Sequence, residues 1–465
     1  MTMARRRTRV GASVAIATLA MLMSAAPLFA HAHLRRSIPG AGASLAAPPT
    51  VIDLWFTEAP ELALSGVTLS DSAGAPVALG ALGADPHDRL AVHVPIIGAM
   101  PAGRYTVRWH AVASDGHPSG GSFTFAIAQP APAGVGRISP TPSDMAGMVR
   151  APATAAPPAD AGVLAPADVA VRWLWFTATL VVIGVIMFRL AVLDGARVGA
   201  ESTARIAQRL AVLGALAAAA LLAVAWLRLA QQQDLLAGDG AGTIPTLDTM
   251  IRHTAWGRAW LLGLASATGA LLALGFAARR DTRPAWAAAL VAGVGLALAP
   301  AFGGHAAASA QFTIAAVADD AVHVFAAASW LGGLCCLAVV AMPVLVHSPA
   351  ADRWTTVAST VNAFSPVALG GAVLVALSGG VSAWLRVRTV HALLTSRYGH
   401  VLELKLALVL LTVGVGAYNW RRARPALGTE AATARLRRSA ATELALALAV
   451  LVVTAVLVAM DLPAS

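Results

Sequence analysis

The sequence predicts two folded units in one chain: an all-β sandwich, then an all-α polytopic membrane bundle of about eight transmembrane helices. Three observations predict this. The 465 residues are 58% hydrophobic and only 12% charged, with a mean hydropathy of +0.71, which is the composition of a membrane protein. Apolar and polar residues alternate in short runs before residue 128, whereas from Val171 onward apolar residues form long unbroken stretches. A segment rich in Pro, Ala and Gly lies between the two.

Residues 1–30 read as a signal peptide. Arg5, Arg6, Arg7 and Arg9 form its charged start, an apolar stretch runs from Val10 to about Ala26, and Ala30 is the small residue before the expected cut, with Leu28 two places earlier. Cleavage there makes His31 the first residue of the mature chain. Residues 31–128 are the expected sandwich. The runs "VIDLWFTEAPE", "GVTLSDSAG", "RLAVHVPI", "RYTVRWHAVAS" and "GGSFTFAIA" carry a period of two and are separated by turn residues. Residues 129–166, with "QPAPAGVGRISPTPSD" and "RAPATAAPPADAG", are the expected flexible linker, and 167–465 the membrane domain.

Eight later segments are long enough to cross a bilayer: 170–193, 207–229, 257–278, 285–303, 315–345, 362–385, 401–420 and 441–461. The fifth is overlong, which predicts tilted or interfacial ends. With the sandwich exported, the cluster Arg421, Arg422, Arg424, Arg435, Arg437 and Arg438 falls in an inner loop, as the positive-inside rule requires. The expected location is therefore the cell inner membrane, multi-pass, with the N-terminal domain in the periplasm. On this view the net charge of +10 reflects topology. Lipid is the expected surrounding and no nucleic acid the expected partner.

Cys335 and Cys336 are adjacent within an apolar run and cannot easily pair with each other, so the exported part has no disulfide framework. There is no G-x-x-x-x-G-K-[ST] loop, and Lys405 is the one lysine of the chain. ATP-driven pumping by a phosphate loop is thereby excluded, and no enzyme activity is expected.

The twelve histidines are unevenly spread. His31, His33, His87, His93, His110 and His117 fall in the exported domain, and His253, His391 and His400 in outer loops or at their edges. His305 ends the fourth span on the outer side, His323 lies about two turns into the fifth, and only His347 is expected inside. Imidazole is the commonest metal ligand, and this asymmetry points to a metal function. In "ASDGHPSGG", Asp115 and His117 are two residues apart and share a side if the stretch is extended. A free α-amine on His31 chelates together with its own Nδ1. Adding His117 makes three nitrogens in a T, with a carboxylate oxygen from Asp115, a tetragonal field that suits Cu(II). The alternative is a turn aspartate beside a surface histidine.

Within the fifth span, "ADDAVHVFAAASWLGGL" puts Asp319, Asp320 and His323 on one helical face, with Trp330 on that face too. Polar groups inside spans are functional suspects. A hydrogen-bonded structural histidine is the alternative for His305 and for His323. Lys405, near the start of the seventh span, either snorkels or pairs with a carboxylate on another helix.

The segment "HAHLRRSIPGAGASLAAPPTVIDLWFTE…AGRYTVRWHAVASDGHPSGGSFTFAI" resembles the periplasmic copper-binding protein family CopC along its whole length. That resemblance implies an immunoglobulin-like β-sandwich whose Cu(II) ligands are His31, Asp115 and His117, with His33 auxiliary. The Met-rich loop of some members is missing, Met100 being the only methionine from His31 to the linker, which implies no separate Cu(I) site. Most of residues 170–461 resembles the membrane family CopD, through "TAWGRAWLL", "GGHA", "DDAVHVFAAASWLGGL", "FSPVALGGAVLVALSGG" and "TSRYGHVLELKLALVLLTVGVGAYNW". A CopC–CopD fusion implies a copper resistance or copper transport protein. Copper is then the cargo, captured outside as Cu(II), with other periplasmic copper proteins as further partners. Position, rather than the family, suggests His305 and His323 as its path in the membrane domain, and import as the direction, because both they and the exported site lie on the entry side. Three other readings stay open: a haem-containing membrane copper reductase built on histidine pairs, a copper sensor without transport, and a copper oxygenase, for which residues 31–128 offer no flat aromatic platform.

Overall fold

The computed structural model describes residues 34–113, 116, 118–128, 166–238, 246–304, 313–347, 353–387 and 390–460. Nine strands form the first unit. One sheet contains β1 (Leu34–Ile38), β3 (Val51–Phe56), β7 (Ala91–Pro95) and β6 (Gly83–Ala84), in that order. The other runs β2 (Ser44–Leu45), β9 (Pro118–Ile127), β8 (Gly103–Val112), β4 (Gly66–Asp71) and β5 (Pro76–Val77). All pairings are antiparallel except β2 with β9.

Alternation makes the sandwich. In β3, Ile52, Leu54 and Phe56 are buried while their neighbours are only half-buried, and β8 sends Tyr105, Val107, Trp109 and Ala111 inward. The two inner faces meet at Phe56 and Trp109, whose rings lie edge to face at 5.4 Å.

The second unit is a helical bundle with eight helices long and apolar enough to span a membrane among the described residues. They are α1 (Pro166–Met187, continued by a π-helical turn Phe188–Leu193), α2 (Ala200–Gly238), α4 (Ala255–Ala277), α5 (Arg283–Phe302), the fifth span beginning with α6 (Thr313–Ala327), α9 (Arg353–Val387), α11 (Arg397–Tyr418) and α12 (Glu430–Leu457). Two short helices, α3 (Leu247–Arg252) and α10 (Val390–Thr395), precede α4 and α11. Local sequence explains the starts. Thr254, Ser396 and Thr429 each accept a hydrogen bond from the backbone N–H three residues on, capping α4, α11 and α12.

The fifth span is not one regular helix. After α6 come a π-helical segment Ala328–Gly332, α7 (Gly333–Cys336), a second π-helical segment Leu337–Ala341 and α8 (Met342–Val346). The wider turns shift the angular register along the segment. Trp330, near its start, keeps its Cβ beside Gly371 of α9, on the face the spacing predicts, while its indole reaches across to Glu443 of α12.

Close packing rests on small residues where α1 crosses this span. Gly184 and Gly332 face each other so closely that a Cβ on Gly332 would overlap the Leu180 carbonyl oxygen. Gly332→Ala is therefore expected to destabilise the bundle by about 1–3 kcal/mol, seen as a lower Tm of the solubilised protein. Gly370→Ala, at a position with open space, is expected to leave Tm unchanged or slightly raised.

Candidate functional site

The end of the sandwich at which β8 turns into β9 is seated on the bundle. Glu61, just past β3, donates its backbone N–H to the Val112 carbonyl at 2.7 Å and leads into a single 3₁₀ turn, Leu62–Leu64. Its side-chain Oε1 accepts the backbone N–H of Ala255 at 2.7 Å. Thr254 Oγ1 accepts that of Gly257 at 2.9 Å, so two of the open donors at the start of α4 are satisfied, one of them by the sandwich. Nearby, the side-chain amide of Gln232, near the end of α2, donates to the carbonyl of Gly116. Gly116 has φ of +89°, and a Cβ there would press on the Gln232 amide at 2.8 Å. A glycine therefore serves both the turn and its docking.

Asp115 and His117 flank Gly116 in sequence; both lie outside the described residues, as do His31, His33 and His305. The backbone topology that surrounds them is described. Leu34 pairs with Phe56, Phe56 is four residues before Pro60, and Pro60 bridges Ala113. The start of β1 and the β8–β9 turn thus lie at one end of the sandwich, the end that meets the bundle. Two other sandwich histidines sit elsewhere: His93 Nδ1 is 3.2 Å from Asp53 Oδ1 across β3 and β7, and His87 is exposed. His110 stands near the end of β8, three residues before Ala113, with its ring against Gly66.

Below this junction the fifth span presents a line of polar groups. Asp319 and Asp320 converge on one hydroxyl of α9, Ser382 Oγ donating to Asp319 Oδ2 at 2.8 Å and lying 3.3 Å from Asp320 Oδ1. Four residues on, the half-buried His323 places Nδ1 2.9 Å from Ser378 Oγ. That hydroxyl spends its proton on the Leu374 carbonyl at 2.6 Å. Ser378 thus accepts, His323 Nδ1 carries the hydrogen, and Nε2 is the acceptor nitrogen, the form in which imidazole ligates metal. Each step along α6 is matched by an equal step back along α9, through to Trp330 beside Gly371. Asp319, Asp320 and His323 share a face as the spacing predicts.

Trp330 leads to a group the sequence reading missed. Glu443 of α12 is 4% exposed, and it receives Trp330 Nε1 at 3.3 Å and Asn419 Nδ2 at 3.2 Å. Asn419 opens a further π-helical segment, Asn419–Ala423. An acidic residue in an apolar run was the signal available for it. Cys335 and Cys336 are both free thiols, half-buried and buried. Among the described residues, no three His, Cys, Asp or Glu side chains gather as a metal site.

A β-sandwich docked by its loop end on an eight-helix membrane bundle defines a two-part, multi-pass membrane protein. Residues 34–128 match the CopC domain, residues 163–312 the N-terminal domain of copper resistance protein D-like proteins, and residues 358–457 copper resistance protein D. Copper resistance protein D of Pseudomonas syringae pv. tomato is 30% identical over 303 residues, covering 62% of this chain and 94% of that protein. Copper resistance protein C of Escherichia coli is 37% identical over 123 residues, covering 24% and 94%. The copper transport protein CutJ of Bacillus subtilis is 26% identical over 441 residues, covering 94% of this chain and 75% of that protein. The chain belongs to the CopC–CopD copper family, with both parts fused in one polypeptide, and it handles copper.

The junction has a pH signature. Burial holds the Glu61 carboxyl above its ordinary value of 4.5, against the opposing pull of the Ala255 N–H and the Arg258 cation. A carboxyl that ionises less readily when docked favours docking fully below pH 4.5, and that contribution is lost as pH rises through the raised value. The Ala255 amide is expected to lose hydrogen-exchange protection across that window, after correction for intrinsic rates. In Glu61→Gln, which keeps an acceptor and removes the titration, protection is expected to stay flat.

Proposed function

We propose that the sandwich captures Cu(II) from the outer compartment and passes copper to the membrane bundle for import. The ligands are His31, Asp115 and His117, with His33 auxiliary, and His305 and His323 line the path into the bundle. One observation carries this: the turn that holds Asp115 and His117 is docked, through Gly116 and Gln232, on the membrane domain. A site on that turn delivers its ion at the bundle surface.

Topology supports the ligand set. Leu34 begins β1 at the docked end, and three extended residues ahead of it span about 10 Å. An amine, two imidazole nitrogens and a carboxylate oxygen suit Cu(II), and since amine and imidazole bind in their neutral forms, affinity falls as pH falls. The arginines Arg421, Arg422, Arg424, Arg435, Arg437 and Arg438 lie around the connection from α11 to α12, at the opposite end of the bundle from α4's capped start. The positive-inside rule makes that end cytoplasmic and the sandwich periplasmic. Copper then enters from the sandwich side, where the acidic pair Asp319 and Asp320 precedes His323 along the fifth span.

Cellular copper accumulation tests the transport. His117→Ala and His323→Ala are each expected to reduce it several-fold, and wild-type accumulation in both overturns the proposal. Adding one alanine ahead of His31 in the processed protein is expected to weaken Cu(II) binding about tenfold or more, about 1.4 kcal/mol. Unchanged affinity removes the amine from the ligand set.

A further inference from the structure

Glu443 lies thirteen residues into the 28 of α12, buried inside the bundle and five residues, about 7.5 Å of helix, past Arg438, which like Arg435 and Arg437 is exposed. Both its hydrogen-bond partners, Trp330 and Asn419, are neutral, and no ion pair reaches it among the described residues. An ionised carboxylate so placed is poorly compensated for its lost hydration. The charged groups on the elements packed around α12 are engaged elsewhere or far along the axis. On α1, Arg189 pairs with Asp194 and Asp281, and Arg172 lies near that helix's start. On α11, Lys405 and Glu403 precede Asn419 by fourteen and sixteen residues, about 21 Å or more of helix. Arg421 and Arg422 are exposed, Arg353 begins α9, and α7 brings only the thiols of Cys335 and Cys336. Asp319, Asp320 and His323 face α9, not α12.

Asn419 carries the second observation. Its Nδ2 donates to Glu443, while its Oδ1 is buried with no hydrogen-bond partner among the described residues. An asparagine amide holds one donor and one acceptor on a single plane, so a half-turn exchanges them. In the present arrangement the amide serves a carboxylate, which only accepts. After a half-turn, Oδ1 would meet Glu443 and accept an O–H from the neutral acid. Gly416 leaves room beside Oε1, since a Cβ there would stand 3.2 Å from it. The donors come from hard oxygen and nitrogen chemistry with no sulfur, which fits a proton better than Cu(I).

We propose that Glu443 is a proton-loading site buried in the bundle, switched between its ionised and neutral forms by rotation of the Asn419 amide, and that it couples proton movement to the passage of copper. In loading, an aqueous proton adds to the carboxylate and Asn419 turns to accept the new O–H; in release, the proton leaves and Nδ2 returns to donate. No electron moves. The proton site stands on its own geometry, whereas the coupling rests on the transport proposed above.

Two measurements on the full-length protein in liposomes decide these separately. An infrared difference spectrum over a pH titration is expected to show a buried protonated-carboxyl C=O band that is absent in Glu443→Gln, present but shifted in Glu443→Asp, and displaced in frequency in Asn419→Leu. A wild-type spectrum identical to that of Glu443→Gln overturns the proton site. For the coupling, copper uptake and internal pH are followed under an imposed pH gradient. Wild type is expected to respond to the gradient and Glu443→Gln to lose the response while keeping the wild-type Tm and Cu(II) affinity. An equal response in both overturns the coupling. No uptake by wild type overturns transport and coupling together, and the infrared titration still decides the proton site.

Discussion

The contact between Gly184 and Gly332 sets the geometry of the membrane half. With no side chain on either helix, α1 and the fifth span approach nearly backbone to backbone, and lipid offers no hydrophobic drive to replace such packing. Gly332 closes the first π-helical segment and Gly333 packs its Cα against Phe364. The span is therefore pinned where its turns are widest. That pinning lets Trp330 keep its backbone against α9 while its indole crosses to α12. A line of polar groups then follows one irregular helix from the acidic pair through His323 to Trp330, whose indole carries it across to Glu443 of α12.

Such a line is costly in a medium without water, and each member is answered by a specific neighbour. Ser382 and Ser378 each lie one turn apart on α9, matching the spacing of Asp319 and His323 on α6. The serines do more than fill space: by giving its proton to Leu374, Ser378 leaves its lone pairs toward the imidazole and so selects the tautomer. Hydrogen bonding has the same role at the junction with the sandwich, where Glu61 and Gln232 join two units that otherwise fold around separate cores.

Much of this architecture could be read from residue order. The alternation of "VIDLWF" and "RYTVRWHAV" was enough for the inward faces of β3 and β8, and the apolar stretches located the eight spans to within a few residues at most ends. The shared face of Asp319, Asp320 and His323 followed from 3.6-residue periodicity. That periodicity holds for the Cβ of Trp330 as well, which stands beside Gly371 of α9, but it could not foresee that the indole crosses to Glu443 of α12. Glu443 was hidden by averaging, since one acid within a long Leu, Ala and Val run barely lowers its hydropathy. The Gly116–Gln232 contact joins residues more than a hundred positions apart and belongs to neither unit's own periodicity. No local pattern could have revealed it.

The cap that Glu61 places on α4 makes the two halves of the chain thermodynamic partners. Copper resistance proteins C and D each match only one half, and between separate chains such a contact would form by encounter. Here both pieces belong to one polypeptide, so the contact is intramolecular and forms at an effective concentration rather than by free encounter. Among the described residues the Glu61–Ala255 and Gln232–Gly116 hydrogen bonds make that contact, and linkage raises its occupancy without any added contact. Fusion thus replaces affinity with proximity.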